Sequence, residues 1–154
     1  MISTKDFIKE LKKNKLDFAT GVPDSLLKDL CFDFEKIYKS NHITASNEGS
    51  AIAIAIGYNL KTNKIPIVYM QNSGLSNALN PLISIAHEKV YSIPLILIIG
   101  WRGSPRVKDE PQQNVKGKIT ENILKLLNIK YTIIRSSVDL KKFDKQIKIA
   151  KKNN

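Results

Sequence analysis

The chain has one cysteine, Cys31, so no disulfide can form within it. Histidine is almost as scarce. His42 and His87 are the only two and both fall inside regular elements, so no histidine-based metal cluster is credible. No local signature of a Ser-His-Asp or Cys-His nucleophile occurs. Apolar runs reach the length of a strand or one buried helix, never the ~20 residues that cross a bilayer. The opening Met1-Ile2-Ser3-Thr4-Lys5-Asp6 lacks the apolar core of a secretory signal. Neither glycine pattern of nucleotide sites is present, not Gly-x-x-x-x-Gly-Lys-Ser/Thr and not Gly-x-Gly-x-x-Gly. These absences point to the cytoplasm, to no membrane span and to no classical nucleotide loop.

Positive charge, by contrast, is abundant. Lys and Arg number 25 against 14 Asp and Glu, a net +11. Six lysines (Lys141, Lys142, Lys145, Lys148, Lys151 and Lys152) share a terminal helical segment with Leu140, Phe143 and Ile147. That spacing makes a solvated face opposite a buried stripe. The lysine face has no aromatic residues of the kind a single-strand nucleic-acid surface uses, so nucleic acid is not an expected partner.

The 154 residues suit one domain, 1–154. Helix and strand signals alternate along it. Helix is expected from Ser3, carrying Phe7, Ile8 and Leu11; strand at 17–20; then a helix with Leu26, Leu27, Leu30 and Phe34, capped by Asp24 or Ser25. Strand follows at 42–45, helix from Ser46 through Tyr58, strand at 65–70, helix at 73–88 and strand at 94–100. Residues 101–118, rich in Gly, Pro and charge, read as a long loop, a length that is functional or mobile in compact domains. Helix at 119–127, strand at 131–134 and helix from Leu140 complete the pattern. The strands are apolar runs, so both sheet faces are covered. The fold class is therefore α/β, a doubly wound parallel sheet with helices on both faces. Such sheets bind ligands beyond the carboxyl ends of their strands.

The unusual residues fall in the segments expected there. Ser46-Asn47-Glu48-Gly49 opens a helix of alternating Ala and Ile. On its face this is a capped helix, Ser46 as cap and Glu48 favoured by the dipole. The helix beyond is apolar on nearly every side, however, which puts Glu48 at the mouth of a dry element. Desolvation there favours a protonated carboxyl, suited to donating to a ligand nitrogen. Gln71-Asn72-Ser73-Gly74-Leu75 joins a buried strand to a helix. It reads as a capped turn with Asn72 or Ser73 as cap, in which Gly74 lets a ligand approach the backbone. In the loop from Trp101 to Gln113, Arg102, Arg106 and Lys108 are cations able to grip an anionic group, Arg through a two-toothed fork.

Taken together, Gly21-Val22-Pro23-Asp24-Ser25-Leu26-Leu27, Ser46-Asn47-Glu48-Gly49, Gln71-Asn72-Ser73-Gly74-Leu75 and Gly100-Trp101-Arg102-Gly103 with Lys108-Asp109-Glu110-Pro111-Gln112 resemble the pyrimidine-binding domain of thiamine-diphosphate-dependent decarboxylases, in particular the phosphonopyruvate decarboxylases, with the sulfopyruvate decarboxylase alpha subunits close behind. The resemblance covers almost the whole chain and implies a role for each cluster. Glu48 would contact the aminopyrimidine ring of thiamine diphosphate and favour its imino tautomer. Asp24 is similar to an active-site acid of related decarboxylases. Asn72, Ser73 and Gly74 would line the pocket near the pyrimidine, and Ser25, Arg102, Lys108 and Gln113 would face the substrate. Two departures stand out: Gln113 where the resemblance expects histidine, and Ser76 where it expects glycine. The Gly-Asp-Gly motif that goes with diphosphate and Mg2+ binding is absent. The resemblance therefore implies a partner, a diphosphate-binding beta subunit or domain, with the cofactor at an oligomeric interface and the Mg2+ ligands on the partner. A non-catalytic module of the same fold is the remaining alternative.

Overall fold

The computed structural model describes residues 2–105 and 107–152. Four strands, β1 (Ala19–Gly21), β2 (His42–Thr44), β3 (Ile67–Gln71) and β4 (Ile96–Gly100), form one sheet in the order β2-β1-β3-β4. Every pairing is parallel: Thr20 lies beside Ile43 on one side and Val68 on the other, and Val68 lies beside Leu97. The helices are α1 (Thr4–Lys13), α2 (Lys28–Tyr38), α3 (Glu48–Thr62), α4 (Leu75–Pro81), α5 (Pro111–Leu126) and α6 (Leu140–Lys152).

β3 shows why its sequence has no polar alternation. Successive side chains point to opposite faces of a strand. Ile67 and Tyr69 pack with Phe7, Leu11, Phe34 and Phe143 under α1, α2 and α6. Val68 and Met70 pack with Ile52, Leu75, Ala78 and Leu124 under α3, α4 and α5. These four of the five β3 residues have no solvent exposure, so each face of the strand needs an apolar side chain. The doubly wound parallel architecture is as expected.

Several local expectations need correction. The cap of α3 is Asn47, whose Oδ1 accepts from the Ser50 N–H at 2.9 Å, rather than Ser46. The helix expected at 73–88 is divided. A 3₁₀ turn, Asn72–Gly74, leads into α4, and a wider π-type turn at Leu82–Ala86 follows Pro81, which supplies no backbone donor. The expected loop at 101–118 ends early. α5 starts at Pro111, whose preset φ suits a first helical position, and so takes in Gln112 and Gln113. Its hydrophobic period is interrupted by Gly117, which packs its backbone on Gly103; a Cβ on Gly117 would strike the Gly103 carbonyl. Gly103 itself has φ +63°. Finally, 131–134 joins no ladder. Between this segment and the outer edge of β4 lies a half-open cavity of about 770 Å³, lined by Leu95, Leu97, Leu124, Leu127 and Tyr131 among others. Among the described residues no helix is long and apolar enough to cross a membrane.

Candidate functional site

Because all four strands are parallel, their carboxyl ends share one edge of the sheet. The segments 21–25, 46–48, 71–75 and 101–110 leave the sheet there, so residues far apart in sequence become neighbours.

Glu48 is the first residue of α3, where the helix dipole favours a carboxylate. Its Oε2 accepts from Asn77 Nδ2 at 2.9 Å. Its Oε1 lies over Gly74, where any Cβ would collide with the carboxylate. Gly74 is thus the cradle that seats Glu48, and Oε1 has no hydrogen-bond partner among the described residues. The mouth is less dry than the sequence suggests. α3 buries Ala51, Ile52, Ala55 and Ile56 but exposes Ala53, Gly57 and Leu60, leaving Glu48 half-buried. Complete desolvation of this acid would need a second surface over it.

Asp24 sits behind the site and is buried. It begins the 3₁₀ turn Ser25–Leu27 but makes no capping bond. Instead its Oδ1 accepts from Gln71 Nε2 at 2.8 Å, across 47 residues of sequence. Gln71 Oε1 accepts in turn from Ser73 Oγ at 2.9 Å. The second Asp24 oxygen, Oδ2, is buried without a partner among the described residues and packs on Gly100. Ser25 is exposed next to it. Gln71 was missed as a site residue. The one signal for it is that a polar side chain ends an otherwise apolar strand.

Asn72 does not cap α4 either. Its Oδ1 accepts from the Arg102 N–H at 3.1 Å, and its Nδ2 donates to the Arg102 carbonyl at 3.0 Å and to Thr120 Oγ1 at 2.9 Å. It therefore ties β3 to the loop after β4 and to α5. The Arg102 fork is engaged within that loop. Nε donates to Asp109 Oδ2 at 2.7 Å and Nη2 to Oδ1 at 2.5 Å, while Gly103 N–H also donates to Asp109. These hydrogen bonds, with Arg102 first, hold the Asp109 carboxyl well below the usual carboxylate range. Trp101 Nε1 donates to the Gly117 carbonyl at 3.0 Å. The loop expected to be functional or mobile is cross-tied at both ends. Lys108 is exposed, and Gln113, in the first turn of α5, buries an Oε1 that has no partner among the described residues. Arg106 lies outside the described residues. Trp101 and Thr120 also line the large cavity beside β4, whereas Glu48, Asp24, Gln71, Asn72 and Arg102 do not.

A parallel sheet with an acid seated on a glycine at its carboxyl edge, and a second acid held behind it, defines an α/β ligand-binding domain. Over residues 2–122 the chain matches the family described as thiamine pyrophosphate enzyme, N-terminal TPP binding domain, and it belongs to that family. The seat is compatible with the cofactor: Glu48 Oε1 has no hydrogen-bond partner among the described residues, and Gly74, lacking a side chain, admits the carboxylate. The chain is 34% identical over 139 residues to a phosphonopyruvate decarboxylase of Streptomyces viridochromogenes, covering 90% of this chain and 34% of that protein. It is 35% identical over 120 residues to a sulfopyruvate decarboxylase subunit alpha of Methanocaldococcus jannaschii, covering 77% and 68%. The chain thus spans about a third of the phosphonopyruvate decarboxylases it matches. Among solved structures, benzoylformate decarboxylase from Polynucleobacter necessarius superposes with a TM-score of 0.56 at 28% identity, over 66% of this chain and 19% of that one. A putative thiamin diphosphate-dependent enzyme from Mycobacterium smegmatis, at 22% identity and TM-score 0.54 over 70% of this chain and 20% of that one, shares the fold.

Proposed function

We propose that this chain is the pyrimidine-binding half of a thiamine-diphosphate-dependent 2-oxo-acid decarboxylase. Its proposed substrate is 3-phosphonopyruvate, converted to phosphonoacetaldehyde and carbon dioxide. The observation that carries the proposal is the seat of Glu48: one carboxylate oxygen held by Asn77, the other over Gly74 and unpartnered. When bound, thiamine diphosphate supplies the carbon nucleophile for the 2-oxo group and accepts the electron pair left by carbon dioxide.

The chain's own residues would do the rest. Glu48 holds and exchanges a proton at the pyrimidine nitrogen through Oε1, while Asn77 fixes its rotamer. Asn72, Ser73 and Gly74 shape the wall beside the ring. Asp24 stands behind as a second acid. For the phosphonate we assign Lys108 together with Arg102 Nη1, the part of the fork that Asp109 does not use; Ser25 and Gln113 add polar contacts. The diphosphate and its Mg2+ would be held by a separate domain or beta subunit, which would also cover the half-exposed Glu48 at an oligomeric interface. We place the enzyme in the cytoplasm.

A second reading, sulfopyruvate decarboxylase alpha subunit, is favoured by the 35% identity to such a subunit. Both substrates are pyruvates carrying a tetrahedral anion on C3. Comparing kcat/KM for 3-phosphonopyruvate and 3-sulfopyruvate separates them, and a non-catalytic module would turn over neither. The decisive variant is Glu48→Gln, assayed with the diphosphate-binding partner and magnesium. Turnover should fall roughly 10²–10⁴-fold with assembly unchanged, since an amide cannot exchange the proton. Near-normal turnover would remove Glu48 from the chemistry.

A further inference from the structure

We infer that Gln71 is a positioning residue that sets the orientation of the Asp24 carboxyl. The inference rests on the decarboxylase reading for what Asp24 does, but its geometry stands without it. Gln71 is the last residue of β3, at the mouth of the site, and Asp24 follows β1, the neighbouring strand. The Gln71 amide lies between the Ser73 hydroxyl and the Asp24 carboxylate, and the carboxylate dictates which way round it sits. Ser73 Oγ donates to Oε1 at 2.9 Å, and Nε2 donates to Asp24 Oδ1 at 2.8 Å. Turned over, the amide would set its carbonyl oxygen against a carboxylate oxygen, two acceptors with no proton between them. The Asp24 carboxylate therefore fixes which way round the amide sits, Ser73 helps hold it there, and the amide in turn pins Asp24 Oδ1.

The consequence falls on the other oxygen. With Oδ1 held, Oδ2 is directed onto Gly100, where only the lack of a side chain admits it. There it is buried and has no partner among the described residues. A buried acceptor left unpaired is unfavourable, so the pair Gln71–Ser73 holds one oxygen ready for a donor that the assembled site supplies. Nothing else among the described side chains hydrogen-bonds Asp24, so removing the Gln71 amide leaves the carboxyl free to rotate. Gln71 is thus assigned to Asp24 and not to the cofactor.

Two measurements decide this. The first needs no activity. Denaturant unfolding of the full chain is compared for wild type, Gln71→Met, Asp24→Ala and the double variant. Gln71→Met should lower the folding equilibrium constant about tenfold in the wild-type background, the worth of a hydrogen bond to a charged group, and far less in the Asp24→Ala background. Equal losses in both backgrounds would overturn the contact. The second uses the chain with its diphosphate-binding partner, magnesium and 3-phosphonopyruvate. Gln71→Met should lower kcat while leaving the apparent affinity for thiamine diphosphate unchanged, and its effect should vanish once Asp24 is alanine. Ser73→Ala, which keeps the Gln71 side chain but frees its amide, should give a smaller loss of the same kind, and it serves should Gln71→Met fail to fold. An unchanged kcat, or a loss confined to cofactor affinity, would refute the assignment. If the wild-type pair decarboxylates no 2-oxo acid, the functional reading fails, and the unfolding cycle alone decides whether Gln71 holds Asp24.

Discussion

The carboxyl edge of β1 and β3 and the outer flank of β4 belong to one sheet, yet they are built to different tolerances. At the carboxyl edge, atoms crowd until only glycine fits. Gly21 faces the Tyr69 carbonyl and ring, Gly74 faces Glu48, and Gly100 faces Asp24. Along the outer edge of β4 no strand pairs among the described residues, and a cavity of about 770 Å³ separates it from 131–134. The difference teaches where this chain needs exact placement. Side chains at the proposed catalytic edge would have to be held within a fraction of an ångström to be useful, whereas the flank has only to enclose apolar surface.

Gly21 offers the largest break in this contrast. The Tyr69 ring lies across β1 so that its hydroxyl meets His42 Nε2 at 2.8 Å, and burial pushes the phenol up to about 12. A methyl at Gly21 would strike the Tyr69 main-chain oxygen, which cannot move without dislodging β3. Gly21→Ala should therefore destabilise by at least the ~1–3 kcal/mol typical of overpacking, and loss of cooperative thermal unfolding is the expected extreme. A wild-type melting temperature would show that the crowded edge has slack.

A truncation pair sharpens the same comparison. Ile52 is fully buried against β3, whereas Ile133, beside the cavity, is 38% exposed. Ile52→Ala should cost about 2–5 kcal/mol and Ile133→Ala under about 1 kcal/mol, measured by denaturant unfolding. Equal costs would mean that the flank is closed in solution.

The sequence was readable to different depths in the two regions. Parallel order, covered faces and the edge that carries the site follow from apolar runs and strand–helix alternation, and Glu48 announces itself as the acid opening an apolar helix. What could not be read is which distant group each polar side chain reaches. Asp24, Asn72 and Ser73 all look like helix caps, because capping is the nearest use of such residues at a helix start. The fold uses them instead for Gln71, Arg102 and Thr120. Arg102 looks like a free cation because Asp109, seven residues on, takes its fork only once Gly103 has turned the chain with φ +63°. The β-branched run at 131–134 looks like a strand, but propensity cannot say whether a ladder forms beside it.

Backbone exchange at β4 tests the flank most finely, with the smallest expected effect. The Ile96 N–H donates to the Pro66 carbonyl at 3.0 Å, on the β3 side. Backbone groups alternate sides along a strand, so the N–H groups of Leu97 and Ile99 face away from β3, toward the cavity. β3 is different, since strands flank it on both sides: the Ile67 N–H donates to the Phe18 carbonyl, and Val68 and Met70 face β4. Their amides open only with the sheet itself, whereas those of Leu97 and Ile99 need only local solvent entry. Residue-resolved hydrogen exchange on the full chain should therefore find Leu97 and Ile99 exchanging about tenfold or more faster than Val68 and Met70. Equal protection would mean that the outer edge of β4 is paired in solution, either by 131–134 or by another chain, and the two regions would then be alike in their finish.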